Sequence, residues 1–385
     1  MAEGEMMMLV GMDAKRIVRN RTGLGSYSRT LVRDLLSCAP DLSLRLYTPT
    51  PGDDDLRGQI EEGERCRFVY PGKVWPVIGK WQWRQRGIVD DLRRDGVQLF
   101  HGLTGELPVG LRKAGIKSVV TIHDLIFLRH PEYYHPWDVA IYKWKFHRTC
   151  READRIIAIS ECTKRDIMEL GGVEADKIEV VYQGFAQRYH GSVSMEQKED
   201  TRRRYDLPGR YILNVGTVEE RKNVLLAVKA LALLPENVSL VVVGKETKYT
   251  AKVRRYADDH GLASRVRFLH GVGDADLHAI YADAEAFAYP SRYEGFGIPI
   301  IEAIGCGLPV VACTGSCLEE AGGPDCIYVG PDDVEALADA IRRSLKGAPG
   351  REERIDRSRR YIQRFMKADT AAKVAEIYRK VIIRS

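Results

Sequence analysis

Short runs of apolar, β-branched residues alternate with longer amphipathic stretches, and near the middle of the chain the alternation starts again. Segments 6–10, 42–47, 97–100, 118–122, 155–159 and 178–182 have the near-continuous apolar character of strands buried on both faces. A second series follows at 211–215, 240–243, 266–269, 286–289, 309–312 and 326–329, with helical periodicity between its members at 224–234, 250–260 and 334–345. Strand and helix in alternation specify an α/β fold with a parallel, doubly wound sheet, and the restart specifies two of them. The expected domains are 1–185 and 186–360, followed by a terminal helix over 361–385 within a tail, 351–384, that reads as helical throughout. The polar stretch 185–206, containing Gly191-Ser192-Val193-Ser194 and closed by Leu207-Pro208-Gly209, is the expected linker.

A chain of 385 residues is long for one core and suits two. The formal charge of +5 is mildly basic, which suits phosphate ligands or an anionic surface and falls short of a nucleic-acid binder. Eight cysteines include no Cys-x-x-Cys pair, so neither a zinc site nor a disulfide framework is indicated, and a reducing, cytoplasmic compartment is expected. No run reaches the ~20 apolar residues of a membrane span, and the short Met6–Val10 run lacks the basic flank of an export signal. Two Asp-x-Asp matches, Asp53-Asp54-Asp55 and Asp274-Ala275-Asp276, read as a turn and a helix start, so no metal site is expected.

The densest chemical signal follows segment 286–289, where Glu294-Gly295-Phe296-Gly297-Ile298-Pro299 leads into the helical Ile300-Ile301-Glu302. Two glycines allow close backbone approach, and Pro299 fits a first helical turn. Amides around Gly295, Phe296, Gly297 and Ile298 are placed to donate to a diphosphate at the positive end of the helix dipole. Glu294 and Glu302 flank that point, and carboxylates there suit the vicinal hydroxyls of a hexose or ribose. The plainer reading is a helix start whose acidic residues complement the dipole.

Three further elements sit after predicted strands, where ligands of such sheets bind. Asn214-Val215-Gly216-Thr217 continues through Glu219-Glu220-Arg221-Lys222, whose cations suit a diphosphate and also suit a solvated turn. Thr22-Gly23-Leu24-Gly25-Ser26-Tyr27 precedes a helix expected over 28–36. It fails as a dinucleotide fingerprint because Ser28 replaces the third glycine. His123-Asp124 closes segment 118–122, and an isolated histidine is more often structural than catalytic.

Taken together these motifs resemble family 4 of the retaining glycosyltransferases, over nearly the whole chain. Its Glu-x7-Glu signature is matched by Glu294 and Glu302. The resemblance implies the GT-B arrangement, two Rossmann-like domains facing a cleft. It implies that Glu294 touches the transferred sugar, Glu302 the ribose, and Gly216, Arg221 and Lys222 the phosphates. Thr217 stands where many members carry arginine, which leaves open whether Arg221 supplies that guanidinium or points away. It further implies that amides near Gly23 and Gly25 face donor and acceptor, and that His123 lies near the reacting sugar. Ser160-Glu161 matches another family segment, although a helix cap is an equal reading of Ser160.

The phosphate-loop form Gly-Thr-Val-Glu-Glu-Arg-Lys-Asn is similar to that of bacterial polysaccharide mannosyltransferases, which favours GDP-mannose as the donor substrate and leaves a UDP-sugar open. No separate cofactor is expected. The implied acceptor is a glycan or a lipid-linked saccharide. The stretch 73–86, with Trp75, Trp81 and Trp83 among lysines and arginines, is composed like a surface that meets membrane headgroups at the inner face of the cell membrane, and equally like a core-facing helix. Competing classes are a nucleotide-sugar epimerase or hydrolase on the same scaffold, and a non-catalytic carbohydrate-binding relative.

Overall fold

The computed structural model describes residues 7–72, 78–184, 189, 191–366 and 370–383. The chain divides into two compact units, one of residues 1–183 with 369–385 and one of residues 184–368. The first crossing lies near the boundary expected at 185, and the second falls at 368/369 rather than at 361.

Unit 1 holds β1 (Met8–Asp13), β2 (Leu42–Tyr47), β3 (Cys66–Val69), β4 (Leu99–Gly102), β5 (Lys117–Ile122), β6 (Arg155–Ala158) and β7 (Ile178–Val180). All pair in parallel, in the order β3-β2-β1-β4-β5-β6-β7. Unit 2 holds β8 (Tyr211–Val215), β9 (Ser239–Val243), β10 (Val266–Leu269), β11 (Ala286–Tyr289), β12 (Val310–Cys313) and β13 (Ile327–Val329). Its order is β10-β9-β8-β11-β12-β13, again parallel. Both sheets reverse direction beside their first strand, at β1/β4 and at β8/β11, and the crevice outside such a switch point is where doubly wound sheets bind ligands.

β3 was not anticipated. It is an edge strand whose Arg67 is exposed between buried Cys66 and Phe68, so it never shows a continuous apolar run. The expected linker also contains structure: Met195–Tyr205 is a helix of unit 2, capped by Ser194, whose side chain accepts from the Gln197 amide. The tail is two helices rather than one. Arg351–Met366 stays in unit 2, whereas Thr370–Ile383 returns to unit 1 and buries Val374, Tyr378 and Val381 in the core around Val10, Leu31 and Leu44.

The ends of β8 and β9 approach so closely that a side chain at Gly244 would place its Cβ 1.9 Å from the Gly216 carbonyl oxygen. Gly216 itself has φ +151° and its amide donates to the Val243 carbonyl at 2.9 Å. Backbone clashes of this kind cannot be relieved by a rotamer change. Gly244→Ala is therefore expected to destabilise the protein by about 2 kcal/mol or more, read as a lowered urea midpoint at unchanged m-value.

Candidate active site

In unit 2 the carboxyl ends of β8 and β11 carry two loops that are joined by charge. Arg221 and Lys222 lie in a short 3-10 turn, Glu220–Lys222, after β8, and Glu294 lies in the turn after β11. The Glu294 carboxylate is buried. One oxygen accepts from Lys222 Nζ at 2.5 Å and from the Tyr289 hydroxyl at 3.2 Å, and the other meets Arg221 Nη1 at 2.9 Å. The Arg221 guanidinium also donates to the Tyr293 carbonyl at 2.5 Å and to Glu219 at 2.6 Å, and the Arg292 amide donates to the Arg221 carbonyl at 2.9 Å. Below the loops, Asn214 Nδ2 donates to the Ala288 carbonyl at 2.8 Å and ties the strands themselves.

Burial alone would raise the Glu294 carboxyl, but Lys222 and then Arg221 outweigh it and bring it to about 2. The same carboxylate raises Lys222 and Arg221 against their own burial. All three groups stay ionised across physiological pH. Lys222 Nζ also donates to the Tyr289 hydroxyl at 2.7 Å, which uses two of its three N–H bonds. Arg221 is held largely by Tyr293, Glu219 and Glu294, and thus braces Glu294.

The turn from Glu294 to the helix Ile298–Gly305 takes its shape from Gly297, which has φ +111° and no side chain to cap the helix, and Pro299 occupies the first turn. A Cβ there would fall 3.2 Å from Leu318 Cδ2. Cys317, in the loop after β12, donates its thiol to the Phe296 carbonyl at 2.8 Å and the Glu294 carbonyl at 3.1 Å. Phe296 packs edge-on against Phe365 at 5.2 Å. Glu302, half-buried on this helix, accepts from the Tyr281 hydroxyl at 3.2 Å. Tyr289, Tyr281 and Cys317 were not singled out from the sequence. Only Tyr289 carried a signal, as a polar residue at the carboxyl end of a buried strand.

Unit 1 alters two expectations. The glycine segment is not a loop: the helix begins at Gly23 and runs to Cys38. The Gly25 amide is taken by the Thr22 carbonyl at 3.0 Å and by Asn20 Oδ1 at 3.2 Å, so it does not face a ligand. Gly25 is needed because a Cβ would sit 1.8 Å from the Asn20 carbonyl oxygen, whereas a Cβ on Gly23 would meet nothing within 4 Å. His123 has both ring nitrogens engaged. Its Nε2 lies 3.0 Å from the Leu103 carbonyl and so must carry the proton, leaving Nδ1 to accept from Gln183 Nε2 at 3.0 Å. Burial lowers its pKa to about 4. The imidazole is thus neutral and hydrogen-bonded at both nitrogens. Ser160 is the helix cap, accepting from the Thr163 amide.

Behind His123 runs a polar chain through the core. Tyr27 meets the imidazole edge-on at 4.8 Å, and its hydroxyl lies 3.3 Å from the Thr121 hydroxyl. Thr121 bonds His101 Nε2 at 2.8 Å, and His101 Nδ1 bonds the Tyr378 hydroxyl of the terminal helix at 2.6 Å. In the 73–86 stretch, residues 73–77 with Trp75 lie outside the described residues. Trp83 is a buried residue that donates to Asp91 at 2.6 Å, and Trp81 is exposed. Among the described residues no three His, Cys, Asp or Glu side chains converge as metal ligands, and no helix is long and apolar enough to cross a membrane.

Residues 22–186 match the model of Glycosyltransferase Family 4, and residues 197–361 match that of Glycosyl transferases group 1. The O-antigen chain mannosyltransferase B of Escherichia coli is 31% identical over 353 residues, covering 86% of this chain and 89% of that protein. The chain is a family 4 glycosyltransferase. Its fold is GT-B: the sucrose-phosphate synthase of Thermosynechococcus elongatus superposes with a TM-score of 0.79 over 98% of this chain and 100% of that one, at 21% identity. A second GT-B structure, Anabaena HepE solved with UDP, gives 0.74 over 97% and 100%, at 18% identity. The transferase holds Glu294 on the turn that follows β11, Glu302 on the helix after it, and Arg221 and Lys222 on the turn that follows β8.

The buried imidazoles give the transferase an acid-sensitive first unit. Burial, with a smaller contribution from His123, lowers His101 to about 3. An unfolded histidine titrates near 6.5, so below that pH the unfolded chain takes up protons that the folded chain refuses. Stability is therefore whole above ~6.5 and falls as pH drops toward the folded value, by about 2 kcal/mol at pH 5 for His101 alone. His101→Gln should flatten the decline in urea midpoint between pH 7 and pH 5; an unchanged slope would show that another group sets it.

Proposed function

We propose that the transferase moves a hexose, with mannose favoured, from a nucleoside diphosphate sugar to a hydroxyl of a glycan or lipid-linked saccharide, in bacterial polysaccharide or glycoconjugate synthesis. The observation that carries the reading is the buried Lys222–Glu294–Arg221 cluster at the β8/β11 switch point. GDP-mannose is the favoured donor, in keeping with the similarity to an O-antigen mannosyltransferase. UDP remains the alternative base, since HepE was solved with it.

In this reading Lys222 directs its remaining N–H to the diphosphate, and backbone N–H groups of Thr217 and of the Gly295–Ile298 turn line the same anion, the Gly216 amide being held by Val243. Glu302 accepts from the ribose hydroxyls. Glu294 accepts from the sugar, while Arg221 and Lys222 fix its direction. A carboxylate shared by two cations and a phenol is a poor nucleophile, which favours same-face substitution with retention over a glycosyl-enzyme intermediate. The bond from anomeric carbon to phosphate oxygen breaks, the bond to the acceptor oxygen forms, and the acceptor proton passes to the departing phosphate. Charge on the leaving group is met by Lys222 and the amides, so the proposed reaction is metal-independent. His123, neutral and hydrogen-bonded at both nitrogens, is given no proton transfer in this reading. A lipid-linked acceptor would bring the transferase to the inner face of the cell membrane.

Thermal shift across a panel of GDP- and UDP-sugars tests the donor, with GDP-mannose expected to give the largest rise in Tm. Glu294→Ala should lower kcat by roughly 10²–10³-fold with nucleotide affinity largely kept. Glu302→Ala should weaken nucleotide Kd by about tenfold or more, the loss of a charge-assisted hydrogen bond. Normal transfer by both variants would sink the assignment, and donor turnover without any acceptor product would favour a hydrolase or epimerase.

A further inference from the structure

The helix Pro136–Glu152 of unit 1 stands out because large apolar side chains face solvent along it. Trp137 is 82% exposed, Ile141 50% and Trp144 59%. At 3.6 residues per turn these three fall within about 60° of one another around the axis. The opposite side is the one that packs: Phe146 is buried, and Tyr142 and Phe146 meet Phe127 edge-on at 5.6 and 6.5 Å. Arg148, buried below the stripe, sets its guanidinium 5.0 Å over the Trp144 ring, and Arg151 is exposed.

A second segment reaches the same place. Glu106 binds Arg84 at 2.5 Å and Lys145 at 3.0 Å, clamping the 78–87 segment to this helix. Trp81, 61% exposed, is one turn before Arg84, as Trp144 is one residue before Lys145. Of the lysines and arginines on the two segments, Arg84 and Lys145 are held by Glu106 and Arg148 is buried, while Arg86, Lys143 and Arg151 are exposed and Lys80 is half-buried. Exposed tryptophans in a field of cations match the chemistry of a bilayer interface, where indole rings settle among headgroups and lysine and arginine meet anionic lipid. A protein partner would leave these cations needing a matching acidic face.

We propose that the Trp137–Ile141–Trp144 ridge docks the transferase on an anionic lipid bilayer, with Trp81 as a second anchor. The inference deepens the reading of membrane-associated synthesis given above and relocates the contact from the 73–86 stretch to this helix. It is tested without donor or acceptor, so its failure leaves the transfer reaction untouched. The full-length chain is mixed with phosphatidylethanolamine vesicles containing phosphatidylglycerol, or with phosphatidylcholine vesicles, and sedimented. Binding to the anionic vesicles alone, weakening as salt rises, is the expected result. W137S/I141S/W144S should cut the bound fraction at least tenfold, with Tm unchanged. K143E/R151E, which leaves the aromatics in place, should bind more weakly and with a shallower salt dependence. Equal binding by the triple variant, no binding by the parent chain, or a concentration-dependent dimer that the triple variant abolishes would each overturn the proposal.

Discussion

The site in unit 2 depends on one buried carboxylate shared by two cations. Taking three charges out of water costs several kcal/mol per ion, and mutual attraction offsets that only when every partner is in place. Here the requirement becomes positional control. Glu294 can remain ionised only if the turns after β8 and β11 keep their spacing, and Arg221 enforces it further through the Tyr293 carbonyl. Removing Glu294 takes the shared partner from two buried cations, and removing either cation strips one partner from the carboxylate, so single changes in this cluster disturb more than one contact. Strand pairing and the Asn214–Ala288 bond supply the rigid floor beneath it.

Much of the fold was legible because parallel strands covered on both faces are largely apolar, and twelve of the thirteen strands among the described residues overlap a segment read as a strand. β3 escaped because an edge strand tolerates alternating charge. The helix at Met195–Tyr205 escaped because its surface is almost wholly polar, although the Ser194-x-x-Gln197 spacing is a capping signal that was present to be read. Residue types at the site were legible from motif and place after a strand. Their partnerships were not: Lys222 and Glu294 are separated by 72 positions, and nothing in local composition says that they touch. The same limit hid the saturation of the His123 nitrogens by Leu103 and Gln183, and the use of the Gly25 amide by Asn20.

The two units solve the polar-interior problem differently. Unit 2 buries ions and balances them. Unit 1 balances ions too, in the Asp13–Arg84–Glu106 cluster, but adds to them neutral groups in series, Tyr27, Thr121, His101 and Tyr378, each using its neighbour as donor or acceptor. The first arrangement suits a site that must present charge; the second suits a core that must keep one geometry.

The last helix has a consequence for how the chain is made. Tyr378 and Val374 fill the core of the domain that leaves the ribosome first, yet they are translated after the whole of the second domain. The amino-terminal half must therefore wait, with part of its interior uncovered, while the later half completes itself. Truncation near the carboxyl end would injure the portion synthesised earliest, and the order of maturation is the reverse of the order of synthesis.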